Sequence, residues 1–174
     1  GTKISESVWH INRSIGFITY SRVARTHKPG EQKQITLRFF KLTFCAITLA
    51  TGCILLIPEW IYTDYLFSAE FVGMHNVITG LSAGIIALAC NSILCQYFTG
   101  SGKIRYSTGS SFVGLISLLV SGYLLIPHYG VFGSAISSSI AFSTMLAFSM
   151  IIFCWKTGTR PKDFLINKED VRFA

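Results

Sequence analysis

The sequence predicts an all-α membrane protein, a polytopic bundle of about five transmembrane helices, and three observations carry that expectation. Hydrophobic residues make up 51% of the chain and charged residues only 13%, where an average soluble domain carries about 25% charged residues. A chain of 174 residues cannot hide that surplus in water, because small domains bury only about two thirds of the surface their chains expose. The apolar residues fall in runs of membrane-crossing length, and the mean hydropathy is +0.51. The cations sit in clusters between these runs, which marks membrane topology rather than a nucleic-acid-binding face. The net charge of +7 therefore does not point to nucleic acid.

The first predicted helix covers residues 4–24. Ile4, Val8, Ile11, Ile15 and Ile18 recur on one helical stripe, and Glu6, His10 and Arg13 form a second, polar stripe. Such a helix faces lipid or other helices on one side and something polar on the other. Arg22, Arg25, Lys28, Lys33, Arg38 and Lys41 follow against the single Glu31, with Pro29-Gly30 expected to break the chain as a loop. The second helix is predicted over 37–57 and ends at Pro58. Glu59, Asp64 and Glu70, with Trp60, Tyr62 and Tyr65, then make an acidic, aromatic loop suited to the headgroup level.

The third helix, 71–98, contains Gly80-x-x-x-Gly84, a spacing that lets helices approach closely. A short basic link holding Lys103 and Arg105 leads to a fourth helix over 107–126. A tight turn, Pro127-His128-Tyr129-Gly130, leads to a fifth over 131–155, one face of which is rich in Gly and Ser. Residues 158–174 form a polar tail. The basic segments alternate with acidic or uncharged ones, so the basic side is expected to be cytoplasmic and the tail with it. The chain has no initiator Met and no signal peptide, and Gly1 to Ser7 reads as the start of a piece of something longer.

Catalysis needs placed acids, bases, nucleophiles or a metal. The predicted second to fifth helices hold no carboxylate beyond Glu70 at the edge, and no metalloprotease or nucleophile-elbow motif occurs. Gly100-Ser101-Gly102-Lys103 lacks P-loop spacing. The five cysteines all lie in apolar runs without C-x-x-C spacing and read as small core residues. No cofactor, metal or enzymatic activity is expected. The candidate binding residues are Arg13, His10, Glu6 and Asn91, as parts of a polar cavity. Arg13 is the sharpest, since a mid-span charge faces water or a partner and its guanidinium fork suits a phosphate. Pairing with Glu6 or snorkelling is the structural alternative for Arg13. For Asn91, as for Asn76 and Gln96, the alternative is interhelical hydrogen bonding.

Leu125-Ile-Pro-His-Tyr-Gly130-Val-Phe-Gly133-Ser-Ala-Ile-Ser-Ser-Ser139 resembles the "LIP-x-YG-x-x-GAA-I-[AS]-[TS]" stretch of bacterial polysaccharide flippases of the multidrug/oligosaccharidyl-lipid/polysaccharide exporter superfamily, with Ser134 in place of Ala. Gly102-Lys103 is similar to that family's short cytoplasmic link, and 161–170 to its cytoplasmic end. Ser14 to Arg22 resembles a helix closing in "P-x-x-S-R", with the proline near Tyr20 absent.

The resemblance implies a MATE-like transporter of two six-helix lobes, with this chain supplying helices eight to twelve of the C-terminal lobe. It implies movement of an undecaprenyl-pyrophosphate-linked oligosaccharide across the bacterial inner membrane by alternating access, with Arg13 on the diphosphate. Partners would be the lipid-linked glycan, membrane lipids and the N-terminal lobe of the same protein. A drug exporter of the same superfamily would want acidic cavity residues, and a membrane glycosyltransferase would want clustered carboxylates. A non-transporting membrane scaffold is the third competing reading.

Overall fold

The computed structural model describes residues 18–26, 29–56 and 74–159 of the chain. Every regular element among them is helical: α1 over 18–25, α2 over Pro29–Leu55, α3 over Met74–Gly100 and α4 over Ile104–Thr157. Three of these, α2, α3 and α4, are long and apolar enough to cross a membrane. The predicted helix over 4–24 is described only from residue 18, and the acidic aromatic loop and the tail beyond 159 lie outside the described residues.

Two boundaries differ from the sequence expectation. Pro29 opens α2 instead of breaking the chain, because a proline in the first helical turn costs no hydrogen bond: that turn's N–H groups have no partner anyway. The helix therefore starts eight residues ahead of the expected residue 37. The expected four-residue turn at 127–130 also contracts. The chain stays helical through Pro127 and breaks at Gly130 alone, with φ 55 and ψ −128.

That break decides the topology of α4. At 1.5 Å per residue a straight helix of this length reaches about 80 Å, far more than the roughly 30 Å of hydrocarbon in a bilayer. Instead the arms 104–129 and 131–157 fold back on each other. Ser117 Oγ and Thr144 Oγ1 lie 3.2 Å apart, Ser121 Oγ donates to the Ser137 carbonyl at 3.4 Å, and Ser110 Oγ donates to the Met145 carbonyl at 3.2 Å. The partners step in opposite directions along the chain, so the arms are antiparallel. Gly133 sits against the Leu125 carbonyl near the apex, where no side chain would fit.

The link from α3 to α4 is equally tight. Gly102 takes φ 73, its N–H donates to the Thr99 carbonyl at 3.1 Å, and the Lys103 N–H donates to the Phe98 carbonyl at 2.7 Å. This is a Schellman closure, which satisfies carbonyls that the helix end would otherwise leave bare. A three-residue link forces the first arm of α4 to run antiparallel to α3. The second arm then runs parallel to α3, giving an up-down-up trio.

α2 packs on α3 through one stripe: Thr36, Phe40, Thr43, Ile47 and Thr51 are all buried, at helical spacing. Phe40 joins Val23 of α1, Cys90, Ile93, Leu94, Tyr97 and Phe98 of α3, and Phe153 of α4 in one apolar cluster. The rings of Tyr97 and Phe153 meet edge to face at 4.9 Å, a favoured aromatic arrangement. By contrast, the first arm of α4 leaves Phe112, Leu115, Leu119, Tyr123 and Leu124 exposed, which in water would be untenable and in lipid is ordinary.

Thr43 Oγ1 is buried with no hydrogen-bond partner among the described residues. An orphaned buried hydroxyl costs about 1–3 kcal/mol, and valine has nearly the same shape without it. Thr43→Val is therefore expected to raise the melting temperature of the detergent-solubilised protein. A fall would mean that the hydroxyl has a partner outside the described residues.

Candidate functional site

Of the four predicted binding residues, Glu6, His10 and Arg13 lie outside the described residues. Asn91 is described, and it is 2% exposed in the middle of α3. Its Oδ1 accepts from Ser149 Oγ at 2.7 Å and lies 3.4 Å from Ser110 Oγ, and the two serine oxygens are 2.9 Å apart. Ser110 belongs to the first arm of α4 and Ser149 to the second, so one amide ties three passes together. All three side chains are neutral, and Cys95 lies beside the node. The arrangement binds helix to helix: a polar group in an apolar span is tolerated when its partners are at hand.

A second junction lies further along the same pair of helices. Ser139 Oγ donates to the Gly80 carbonyl at 2.5 Å, which is possible because glycine leaves that carbonyl uncovered. Gly84 meets Ser139 even more closely: a Cβ there would stand 2.7 Å from the Ser139 Cα. The Gly80-x-x-x-Gly84 spacing thus supports close approach of α3 to the second arm of α4. Beside it an open groove of about 470 Å³ is lined by Ile136, Ser139, Ile140, Ser143, Thr144 and Ala147. Several hydroxyls of this arm turn back on their own helix: Ser137 donates to the Gly133 carbonyl, Ser138 to that of Ser134 and Thr144 to that of Ile140.

The strongest electrostatic feature is at one end of the bundle. No Lys, Arg, Asp or Glu occurs in 42–56, 74–102 or 106–155. Apart from Arg38 and Lys41, which lie further along the first half of α2, every described charge belongs to the ends where α1 finishes, α2 begins, α3 meets α4 and α4 finishes. These ends are one place. A Cβ on Gly100 would touch Val23 Cγ1 at 3.1 Å, Gln32 Nε2 donates to the Val23 carbonyl at 3.0 Å, and Lys156 Nζ stands 5.7 Å from the Tyr106 ring centre. Gln32 also donates to the Thr26 carbonyl at 2.6 Å, closing the end of α1 with a side chain from α2. Lys156 sits 4.7 Å from the Trp155 ring as well, and Arg22 Cζ 5.9 Å from that of Phe39. These are cation–π distances. Glu31 is the sole acid among the described residues.

Sequence reasoning anticipated the basic clusters and the glycine spacing but missed Ser110 and Ser149, which carry no periodic signal. The threonines of α2 were visible as a stripe at helical spacing and went unread. Among the described residues no three His, Cys, Asp or Glu side chains group to hold a metal.

Four apolar helical passes, α2, α3 and the two arms of α4, with a neutral interior and a cationic end, define a polytopic helical membrane protein. The chain is 24% identical over 139 residues to an uncharacterized membrane protein of Methanocaldococcus jannaschii. The match takes in 79% of this chain and 27% of that protein, so the chain spans about a quarter of its relative's length. No described protein family matches the sequence, and no solved structure matches it.

Proposed function

We propose that this chain is part of the C-terminal lobe of a MATE-like flippase that moves a lipid-linked oligosaccharide, carried on undecaprenyl pyrophosphate, across the inner membrane. The observation that carries the reading is the stretch 125–139. Its resemblance to the flippase pattern falls on the hairpin of α4, with the pattern's glycine at the point of reversal. The cationic end supports a cytoplasmic placement of that end and of the tail, since basic segments are retained on the cytoplasmic side. Apart from Glu31 in the first turn of α2, the described spans carry no carboxylate, which a drug exporter would need to hold cationic cargo.

The physical task is to pass sugars and a diphosphate through hydrocarbon. A polar cavity between two rocking lobes does this while the lipid tail stays in the bilayer. Arg13 is the residue assigned to the diphosphate, for its bidentate fork. His10 and Glu6 share its helical stripe. The test uses the full-length protein in cells lacking any other flippase, with surface glycan as the readout. Arg13→Ala is expected to reduce export at least tenfold, the cost of about one lost charge-assisted contact at 1.4 kcal/mol or more. Unchanged export would refute the assignment of Arg13, and wild-type protein that restores no export would refute the flippase itself.

A further inference from the structure

α1 ends in a small amphiphilic groove that none of the preceding assignments uses. Ile18, Ser21, Arg22 and Arg25 line an open depression of about 300 Å³ on one helical face. The opposite face, Thr19 and Val23, is fully buried against the bundle. The direction of α1 is fixed by its contacts: Val23 and Thr26 meet Gln32 near the start of α2, while Arg22 meets Phe39 further along it. α1 and α2 are therefore antiparallel, and α2 runs from the cationic end into the charge-free spans. Along the groove, Arg25 lies at the cationic end, Arg22 and Ser21 one turn deeper, and Ile18, 48% exposed, one turn deeper again.

We propose that this groove binds an anionic glycerophospholipid of the surrounding leaflet, with its phosphate between the guanidinium groups of Arg22 and Arg25 and its acyl chain along Ile18. Two features select that occupant. The first is charge: eight described cations against Glu31 alone lie at this end and along the first half of α2, so an anion is favoured over a zwitterion. The second is the gradient along one face from cation through hydroxyl to bare isoleucine, which matches the order of groups in a phospholipid at the interface. A soluble phosphate would use the arginines and leave Ile18 without a role. The binding does not rest on the transport reading, and holds for a scaffold equally.

The test is native mass spectrometry of the full chain released from micelles with equal amounts of phosphatidylglycerol and phosphatidylcholine. Wild type is expected to retain phosphatidylglycerol preferentially. Each basic residue near an anionic headgroup contributes about fivefold in binding, so Arg22→Gln with Arg25→Gln should cut the preference at least tenfold. Lys103→Gln with Arg105→Gln removes the same charge from the same end but not from the groove, and should leave most of the preference. Equal retention of both lipids by wild type, or equal loss in the two double variants, overturns the proposal. So does displacement of the lipid by equimolar inorganic pyrophosphate. If the glutamine pair does not fold, Arg25→Gln alone removes one cation from the groove and is expected to cut the preference about fivefold; retention unchanged from wild type in that variant overturns the proposal too.

Discussion

Gly84→Val is expected to separate α3 from the second arm of α4 and to cost about 3 kcal/mol of stability, at the upper end of overpacking effects. The reason is what the new atoms would strike. A Cβ at Gly84 falls 2.7 Å from both the Cα and the Oγ of Ser139, and 3.2 Å from Cδ2 of Phe142. A backbone atom cannot rotate aside, so the helices must part. Parting them also pulls Ser139 from the Gly80 carbonyl and disturbs the Asn91 node further along the same two helices. Two controls give the prediction its edge. Gly114 also lies tight, but against the flexible side chain of Met145, so alanine there should cost less. Gly52 has nothing within 4 Å, and its replacement should leave packing untouched. Melting curves in detergent, with Gly84→Val indistinguishable from Gly52→Val, would refute this account of the interface.

Gly130→Val should have the next largest effect, by a different mechanism. Nothing lies within 4 Å of a Cβ at this position, so space is not the issue. The backbone angles are: φ 55 with ψ −128 is open to glycine and costs any L-residue about 1–3 kcal/mol, a β-branched one most. Asparagine is expected not to rescue the turn, because its tolerance is for the left-handed helical region and not for this ψ. At Gly158, with φ 62 and ψ 21, asparagine should be accepted. The measurement is cross-linking in a cysteine-free background. Cysteines replacing Ser117 and Thr144, whose oxygens are 3.2 Å apart, should join readily in the parent and poorly once Gly130 is valine. Full cross-linking in both would show that the reversal does not depend on Gly130.

Composition made the membrane class legible, and charge-free runs located α3 and the two arms of α4 to within a few residues, because a bilayer imposes length and apolarity on every span alike. The hairpin was legible from Pro127 and Gly130, although the backbone leaves helical geometry at the glycine alone. What escaped was start-of-helix geometry at Pro29 and the identity of the polar contacts. Ser110 and Ser149 are two serines among many, and only the register of three packed helices brings both to Asn91. The convergence of the basic clusters was likewise invisible in one dimension. It follows from a three-residue link and one sharp reversal, which return α4 to the level of Tyr106.

The hairpin of α4 also bears on how the chain enters a membrane. From Tyr106 to Trp155 the chain holds no charged side chain, while Arg105 and Lys156 stand immediately outside that stretch. Carrying one Lys or Arg to the centre of a bilayer helix costs about 2.5–3.5 kcal/mol on insertion scales. The apex at Gly130 can thus be threaded across at little electrostatic cost while both feet are held back, one cation on each. Insertion of the two arms is in this sense a single event, and its direction is written into the flanking cations rather than into either helix alone.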